Sequence, residues 1–297
     1  MQYSENSLAM LQVSVVFPVR NEEQRIGRCL ESLIDFDEVL LLDGNSTDKT
    51  REIASRFRNV RIVKQYETDE PNIVIKDFSE VRNKGLALAR HEWILSGDAD
   101  LIVTKEVVQE VIGILQKPEY LIYDIPRKYL LDGEQIIDFA SNYTNRSQNQ
   151  FFLFNKRLNP QYVGRVHAGI AYDKKRIQRG RLNNHILNLY VEPPAVLKAK
   201  MHRFIQVETE ALKHQDLSFQ WWVGLLWHQM LRILLQLWRI GIAQVKGNIL
   251  KLGATLPWCY ERLKIFYRWN LVWMMTRLYW HSLRRHYSDS ARTSGCS

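Results

Sequence analysis

Short apolar runs alternate with helical spacings over the first 125 residues. Val13-Ser14-Val15-Val16-Phe17 predicts a buried strand stopped by Pro18, and Ile26, Cys29, Leu30, Leu33 and Ile34 then repeat at the spacing of one helix face. Val39-Leu40-Leu41-Leu42 predicts a second strand with Asp43 at its carboxyl end. Gly44-Asn45-Ser46-Thr47-Asp48 follows, supplying a tight turn and caps for a helix through Ile53, Ala54 and Phe57. Val60 to Val63 reads as a third strand, and Ser79 as the cap of a helix carrying Arg82, Asn83 and Lys84. Trp93-Ile94-Leu95 is a fourth strand that delivers Asp98 and Asp100 just past its end. Thr104 caps a helix with Val107, Val108, Val111, Ile112 and Leu115 on its apolar face, and Tyr120 to Ile125 is a fifth strand ended by Pro126. This alternation predicts an α/β fold with a mostly parallel sheet flanked by helices. Ligands of open parallel sheets bind beyond the carboxyl ends of the strands, so Asp43 and Asp98 are expected on one edge.

The pattern changes further on. Residues 127 to 200 are mixed, with a strand expected at Phe151 to Phe154, and helical character returns from about Ala195 to Tyr287. Composition changes with it: residues 201–297 hold thirteen Lys or Arg against five Asp or Glu, a surplus of eight within a whole-chain net charge of +9. Eight of the nine tryptophans lie there too. A shift of this kind places a functional boundary near residue 200, with a catalytic and binding domain over 1–200 and a basic, Trp-rich helical region over 201–297. The three cysteines show neither a disulfide framework nor zinc-ligand spacing, and Met1 to Leu11 lacks the pattern of a signal peptide. A cytoplasmic protein is expected.

The residues capable of chemistry sit at the predicted strand ends. A nucleotide-sugar carries two phosphates whose negative charge rises as the sugar departs, and a hard divalent cation held by carboxylates offsets that charge. Asp98 and Asp100, one residue apart after an apolar strand and in register with Asp43, fit that need.

Four ordered segments then carry a resemblance: Pro18-Val19-Arg20-Asn21-Glu22, Asp43-Gly44-Asn45-Ser46-Thr47-Asp48, Val81-Arg82-Asn83-Lys84-Gly85 and Asp98-Ala99-Asp100. Together they resemble the signatures of family 2 glycosyltransferases with the GT-A, Rossmann-like fold. The resemblance implies that Pro18, Arg20 and Glu22 belong to a segment wrapping the nucleoside. It implies that Asp43 binds the base and that Arg82 approaches the nucleotide, while Asp98 and Asp100 serve ribose and a Mg2+ or Mn2+ ion. Gln150 to Lys156 and Tyr162-Val163-Gly164-Arg165-Val166-His167 are similar to the branch that includes the lipopolysaccharide-core β-1,4-glucosyltransferases. That branch carries acidic residues where this chain has Ser147-Gln148-Asn149 and Ala168. An inverting transfer needs a general base; His167 is the candidate, with Asp124, Asp132, Asp138 and Asp173 as the others.

In the last third, Leu217 to Leu231 is uncharged but interrupted by Gln220, His228 and Gln229, too short to span a bilayer. Gln229, Arg232, Gln236 and Arg239 fall on one narrow helical stripe, leaving a wide Leu, Ile and Trp face that needs a protein core or lipid. After Pro257 basic residues interleave with Trp and Tyr, the mixture favoured at an anionic membrane surface. No nucleic-acid fold signature accompanies it, so nucleic acid is not an expected partner. The reading is a metal-dependent enzyme on the inner face of the plasma membrane, transferring a sugar from a nucleotide-sugar, UDP-linked, to a lipid-linked saccharide. The alternatives are transfer to a polyprenyl phosphate and a non-catalytic membrane adaptor.

Overall fold

The computed structural model describes residues 10–131, 134–138, 152–165, 169–173, 177–190, 194–210, 212 and 217–293. The chain divides into two compact units, one of residues 1–136 with 145–190, the other of 137–144 with 191–297.

The first unit is built on a seven-stranded sheet. In chain order its elements begin β1 (Leu11–Val19), α1 (Ile26–Glu31), β2 (Phe36–Asp43), α2 (Thr50–Ala54), β3 (Val60–Lys64), α3 (Phe78–Leu88) and β4 (Trp93–Ser96). They continue with β5 (Leu101–Ile102), α4 (Lys105–Gln116), β6 (Ile122–Asp124), β7 (Arg127–Leu131) and β8 (Gln135–Ile137). After these come β9 (Phe152–Asn155), β10 (Gln161–Val163), β11 (Gly169–Ala171), β12 (Gly180–Arg181) and β13 (Ile186–Tyr190). The large sheet runs β12-β6-β9-β4-β1-β2-β3, and a four-stranded sheet runs β5-β13-β7-β8. This is the α/β arrangement that the strand and helix alternation predicts, with the GT-A-like sheet that the motif resemblance implies. β1, β2, β3 and β4 pair in parallel, while β9 enters antiparallel between β4 and β6. Consecutive strands β4 and β6 are therefore not neighbours, which local periodicity does not reveal.

The core forms on both sheet faces because β1 and β2 are apolar at nearly every position and covered on each side. Phe17, Leu41 and Leu95 pack with Ile26, Leu30 and Val107, while Val16, Leu42 and Phe154 pack with Val81 on the opposite face. Several local expectations change. Pro18 does not stop β1; it pairs opposite Leu42 within the strand. The register with β4 ends at Val16, so no ladder on that side needs the N–H that proline lacks. The helix expected to reach Ile34 ends at Glu31, where the Ser32 hydroxyl donates to the Cys29 carbonyl, and Ile34 is exposed. The cap of α3 is Asp77 rather than Ser79: its carboxylate accepts from the Ser79 and Glu80 amides. Thr104 caps α4 as expected.

The second unit is helical, with α5 (Pro194–Glu210), α6 (Phe219–Gln244) and α7 (Trp258–Thr293). Ile205 of α5 packs on Leu271 and Met275 of α7. α6 lies antiparallel to α7: the Trp222 indole donates to Thr276 Oγ1 at 3.2 Å, Arg268 to Gln229 Oε1 at 3.3 Å and Gln244 to the Leu256 carbonyl at 3.3 Å. The two glutamines of the polar stripe of α6 turn inward, Gln229 and Gln236 being 6% and 5% exposed, while Arg232 stays exposed. The apolar face of α6 turns outward, with Trp227 75% and Trp238 64% exposed. Among the described residues no helix is long and apolar enough to cross a membrane.

Candidate donor site

The register of the parallel strands carries four loops to one edge. Val19 pairs opposite Asp43, Asp43 opposite Lys64, and Val16 opposite Ser96. The chain leaving each strand therefore emerges beside the others: Pro18 to Glu22, Asp43 to Asp48, Gln65 to Ile73 and Gly97 to Asp100.

Three asparagines in left-handed backbone, Asn21, Asn45 and Asn72, hold the first three loops together. The Asn21 amide donates to Thr47 Oγ1 and Asn72 Oδ1, and its own Oδ1 accepts from the Thr47 N–H. Asn45 donates to the carbonyls of Thr68 and Glu70. Arg20 donates to Asn72 Oδ1 at 2.6 Å, which fixes the expected nucleoside segment against the 66–73 loop. Gln65, fully within the core, donates to the carbonyls of Val19 and Leu42 and so ties the ends of β1 and β2 together. Sequence reading found neither Gln65 nor Asn72, because their partners lie 23 to 52 residues away. For Asn72 the available signal is its residue type, since asparagine is the side chain that most readily enters left-handed turns; Gln65 carries none.

Asp43 is buried, its carboxylate accepting from the Ser46 hydroxyl at 2.6 Å and the Ser46 amide, with Arg51 at 3.8 Å. Glu22 accepts from Arg25 at 2.5 Å, and its amide donates to Thr50. Arg82 lies beneath the edge: its guanidinium donates to Asp98 Oδ1 at 2.6 Å and the Gly97 carbonyl at 3.3 Å, over the Tyr162 ring. Burial alone would lower the Arg82 pKa; the Asp98 carboxylate and the Tyr162 hydroxyl together outweigh it and hold it above its ordinary value. Arg82 thus reaches the edge through Asp98. Cys29 lies just below, its thiol pushed well up by burial and the nearby carboxylates, an inert packing group.

Asp100 differs from the other acids. Its Oδ1 is buried with no hydrogen-bond partner, while Asn188 bonds the carboxyl group. Burial and the Asp98 charge push its pKa up to about 6, against the lowering pull of Arg25 and Asn188. An unpartnered buried carboxylate oxygen is costly alone and suits a cation. No group of three His, Cys, Asp or Glu side chains among the described residues forms a complete metal cage. Two carboxylates plus the oxygens of a substrate diphosphate are, however, a sufficient donor set for Mg2+ or Mn2+.

The candidates for a base scatter. His167 and Asp132 lie outside the described residues. Asp124, at the end of β6, is paired with Arg179, whose guanidinium stacks over Phe152 at 5.1 Å. Asp138 accepts from the Ala254 amide in the helical unit, and Asp173 is exposed.

A GT-A-like sheet whose strand ends gather Asp43, Asp98 and Asp100 defines the class of glycosyl-transferring folds. Residues 14–180, more than half of the chain, match the model of Glycosyl transferase family 2, and the chain belongs to that family of transferases. It is 36% identical over 127 residues to a TPR repeat-containing protein of Synechococcus elongatus, covering 42% of this chain and 30% of that one. It is 28% identical over 216 residues to the SPbeta prophage-derived glycosyltransferase SunS of Bacillus subtilis, covering 68% of this chain and 46% of SunS. The chain thus spans less than half the length of these two curated relatives. Among solved structures, S. aureus TarS 1–349 in complex with UDP-GlcNAc is similar at a TM-score of 0.46 and 17% identity, over 70% of this chain and 68% of that one.

Proposed function

We propose that this protein transfers a sugar from a nucleotide-sugar, UDP-linked, to a lipid-anchored saccharide at an anionic membrane surface, with inversion. Within its family the reading places it nearest the branch of the lipopolysaccharide-core β-1,4-glucosyltransferases. The observation that carries it is the unpartnered Asp100 Oδ1 at a sheet edge where Asp43 and Asp98 also emerge. Asp98 and Asp100 would hold Mg2+ or Mn2+, and the cation would neutralise the departing nucleoside diphosphate. Pro18, Arg20, Glu22 and Asp43 would line the nucleoside, with Arg82 acting as a positioning residue that fixes Asp98. The outward apolar face of α6 and the Trp and Arg residues of α7 support attachment to the inner face of the plasma membrane. His167 is the proposed base.

Asp124, tied to Arg179, is a poor base, and Ala168 stands where the branch has a carboxylate. Those two facts favour a second reading in which the acceptor is a polyprenyl phosphate, already ionised and needing no base. The test is release of nucleoside diphosphate from a panel of nucleotide-sugars with Mn2+ or Mg2+, with and without membrane lipid extract. Metal-dependent release stimulated by lipid is expected. Tight nucleotide binding with no turnover of any donor would replace the enzyme with a membrane adaptor.

A further inference from the structure

The α6–α7 hairpin contains a concentration of positive charge that sugar transfer does not explain. Arg232 and Arg239 follow Gln229 by three and ten residues, at the border between the inward stripe of α6 and its outward apolar face. Arg268 reaches across from α7 to Gln229 Oε1 at 3.3 Å. Arg232 lies one turn from Gln229 and Arg239 two turns further along the same side of α6, the side that Arg268 reaches; burial first, and then these two charges, lower the pKa of Arg268. Among the described residues none of the three is paired with a carboxylate. Two acids of the same unit are engaged elsewhere, Glu261 with Lys264 at 2.9 Å and Asp138 with the Ala254 amide. Arg232 is exposed and Arg239 and Arg268 are half-buried; like charges gathered there repel, so their arrangement gains from an anion. The planar fork of arginine matches phosphate oxygens in particular.

We propose that Arg232, Arg239 and Arg268, steadied by Gln229, form a seat for the phosphate group of a membrane lipid. The apolar surface decides between a lipid and a free phosphate. Leu231, Leu235 and Trp238 stand exposed on α6 beside the two arginines, where an acyl or prenyl chain would lie. The outer stripe of α7 continues the pattern, with Trp269, Trp273 and Trp280 exposed and Arg277 stacked on Trp273 at 4.7 Å. Tryptophan and arginine together suit the depth at which headgroup phosphates sit. The seat rests on the membrane-docked part of the proposed function and is independent of the donor site.

The experiment is co-sedimentation of the full chain with phosphatidylcholine vesicles, with and without phosphatidylglycerol. The double variant Arg232→Gln/Arg239→Gln is compared with Arg262→Gln/Arg284→Gln, which removes the same charge from the outer side of α7. Wild type is expected to bind both vesicles and to prefer the anionic ones. The first variant should lose about a hundred-fold or more of that preference, two charge-assisted contacts at about 1.5 kcal/mol each, while the second loses at most the roughly thirty-fold of two diffuse attractions at about 1 kcal/mol each. Equal losses would show diffuse attraction and overturn the seat. Displacement by millimolar inorganic phosphate would reassign it to a free anion. Failure of wild type to bind either vesicle would overturn the membrane reading itself, leaving nucleotide-sugar turnover to be judged alone. Trp227→Ser/Trp238→Ser should weaken binding to both vesicles yet keep the anionic preference, and unchanged circular dichroism confirms that each variant folds.

Discussion

β2 in the first unit and α6 in the second are both rich in leucine, yet they place it on opposite sides. Leu40, Leu41 and Leu42 of β2 are fully enclosed, covered by helices on both sheet faces. In α6 the enclosed side chains include Gln229 and Gln236, whereas Leu231, Leu234 and Leu237 face outward. The outward leucines of α6 therefore supply far less folding energy than the enclosed leucines of β2. Apolar area left facing water contributes nothing to folding, and a contiguous patch of it marks a surface built for another apolar phase. The first unit covers its apolar strands with its own helices, whereas α6 leaves much of its apolar face uncovered.

The largest expected effect tests whether the two units do separate work. Asp100→Asn should lower metal-dependent turnover by about a thousand-fold, the scale of the several kcal/mol a cation supplies to a departing anion. It should also abolish Mn2+ binding measured calorimetrically, while leaving vesicle co-sedimentation unchanged. Turnover within a few-fold of wild type would remove the proposed cation site.

Stability gives the next contrast. Leu41→Ala should cost roughly 2–5 kcal/mol in urea unfolding, because the enclosed sheet cannot collapse around the cavity. Leu234→Ala, on the outer face of α6, should stay within about 0.5 kcal/mol. Comparable losses would mean that the α6 face is covered in the free protein. A smaller effect comes from Gly85, the last residue of the Val81 to Gly85 motif. A methyl there would sit 2.6 Å from Val16 Cγ1 and 2.7 Å from Leu42 Cδ1, so α3 cannot approach the sheet as closely. Gly85→Ala should cost about 1–3 kcal/mol by overpacking. That glycine belongs to the motif for reasons of helix-on-sheet packing.

These residues also show which features were legible in the sequence. The parallel strands could be read because fully buried strands are continuous apolar runs, and Asp43 and Asp98 were placed on one edge by strand direction alone. The stripe of Gln229, Arg232, Gln236 and Arg239 could be read from helical spacing, but spacing is symmetric and does not say which side faces inward. Helix ends were less legible. The pattern carried α1 to Ile34, since an exposed isoleucine keeps the periodicity of a buried one, and Ser79 masked the better cap two residues earlier. Gln65, Asn72 and the Arg82–Asp98 pair were not legible as partners, because they depend on contacts between loops distant in sequence. The antiparallel entry of β9 is topological and leaves no local mark.

The last effect is the most specific to the donor edge. Asp100 titrates at about 6 in the folded protein, raised by burial and the Asp98 charge, against roughly 3.9 for an unfolded aspartate. Between those values the native state holds a proton that the unfolded chain has released. Stability contributed by this group is therefore present at low pH, falls as pH rises from about 4 to 6, and stays lost above that. Glu38 has the opposite sign: burial would raise its pKa, but hydrogen bonds from the Arg90 amide, Ser14 and Arg61 outweigh it and hold the carboxyl below its ordinary value. Its contribution is common to wild type and variant, so it cancels in a difference. The urea midpoint of metal-free Asp100→Asn minus that of wild type should thus widen between about pH 4 and pH 6 and then level off. Saturating Mn2+ at pH 7.5 should narrow the gap by stabilising wild type alone, since binding to the native state adds free energy only where the ligand site exists. A pH-independent difference would mean that Asp100 is an ordinary surface acid, and the edge would lose the one carboxylate that asks for a cation.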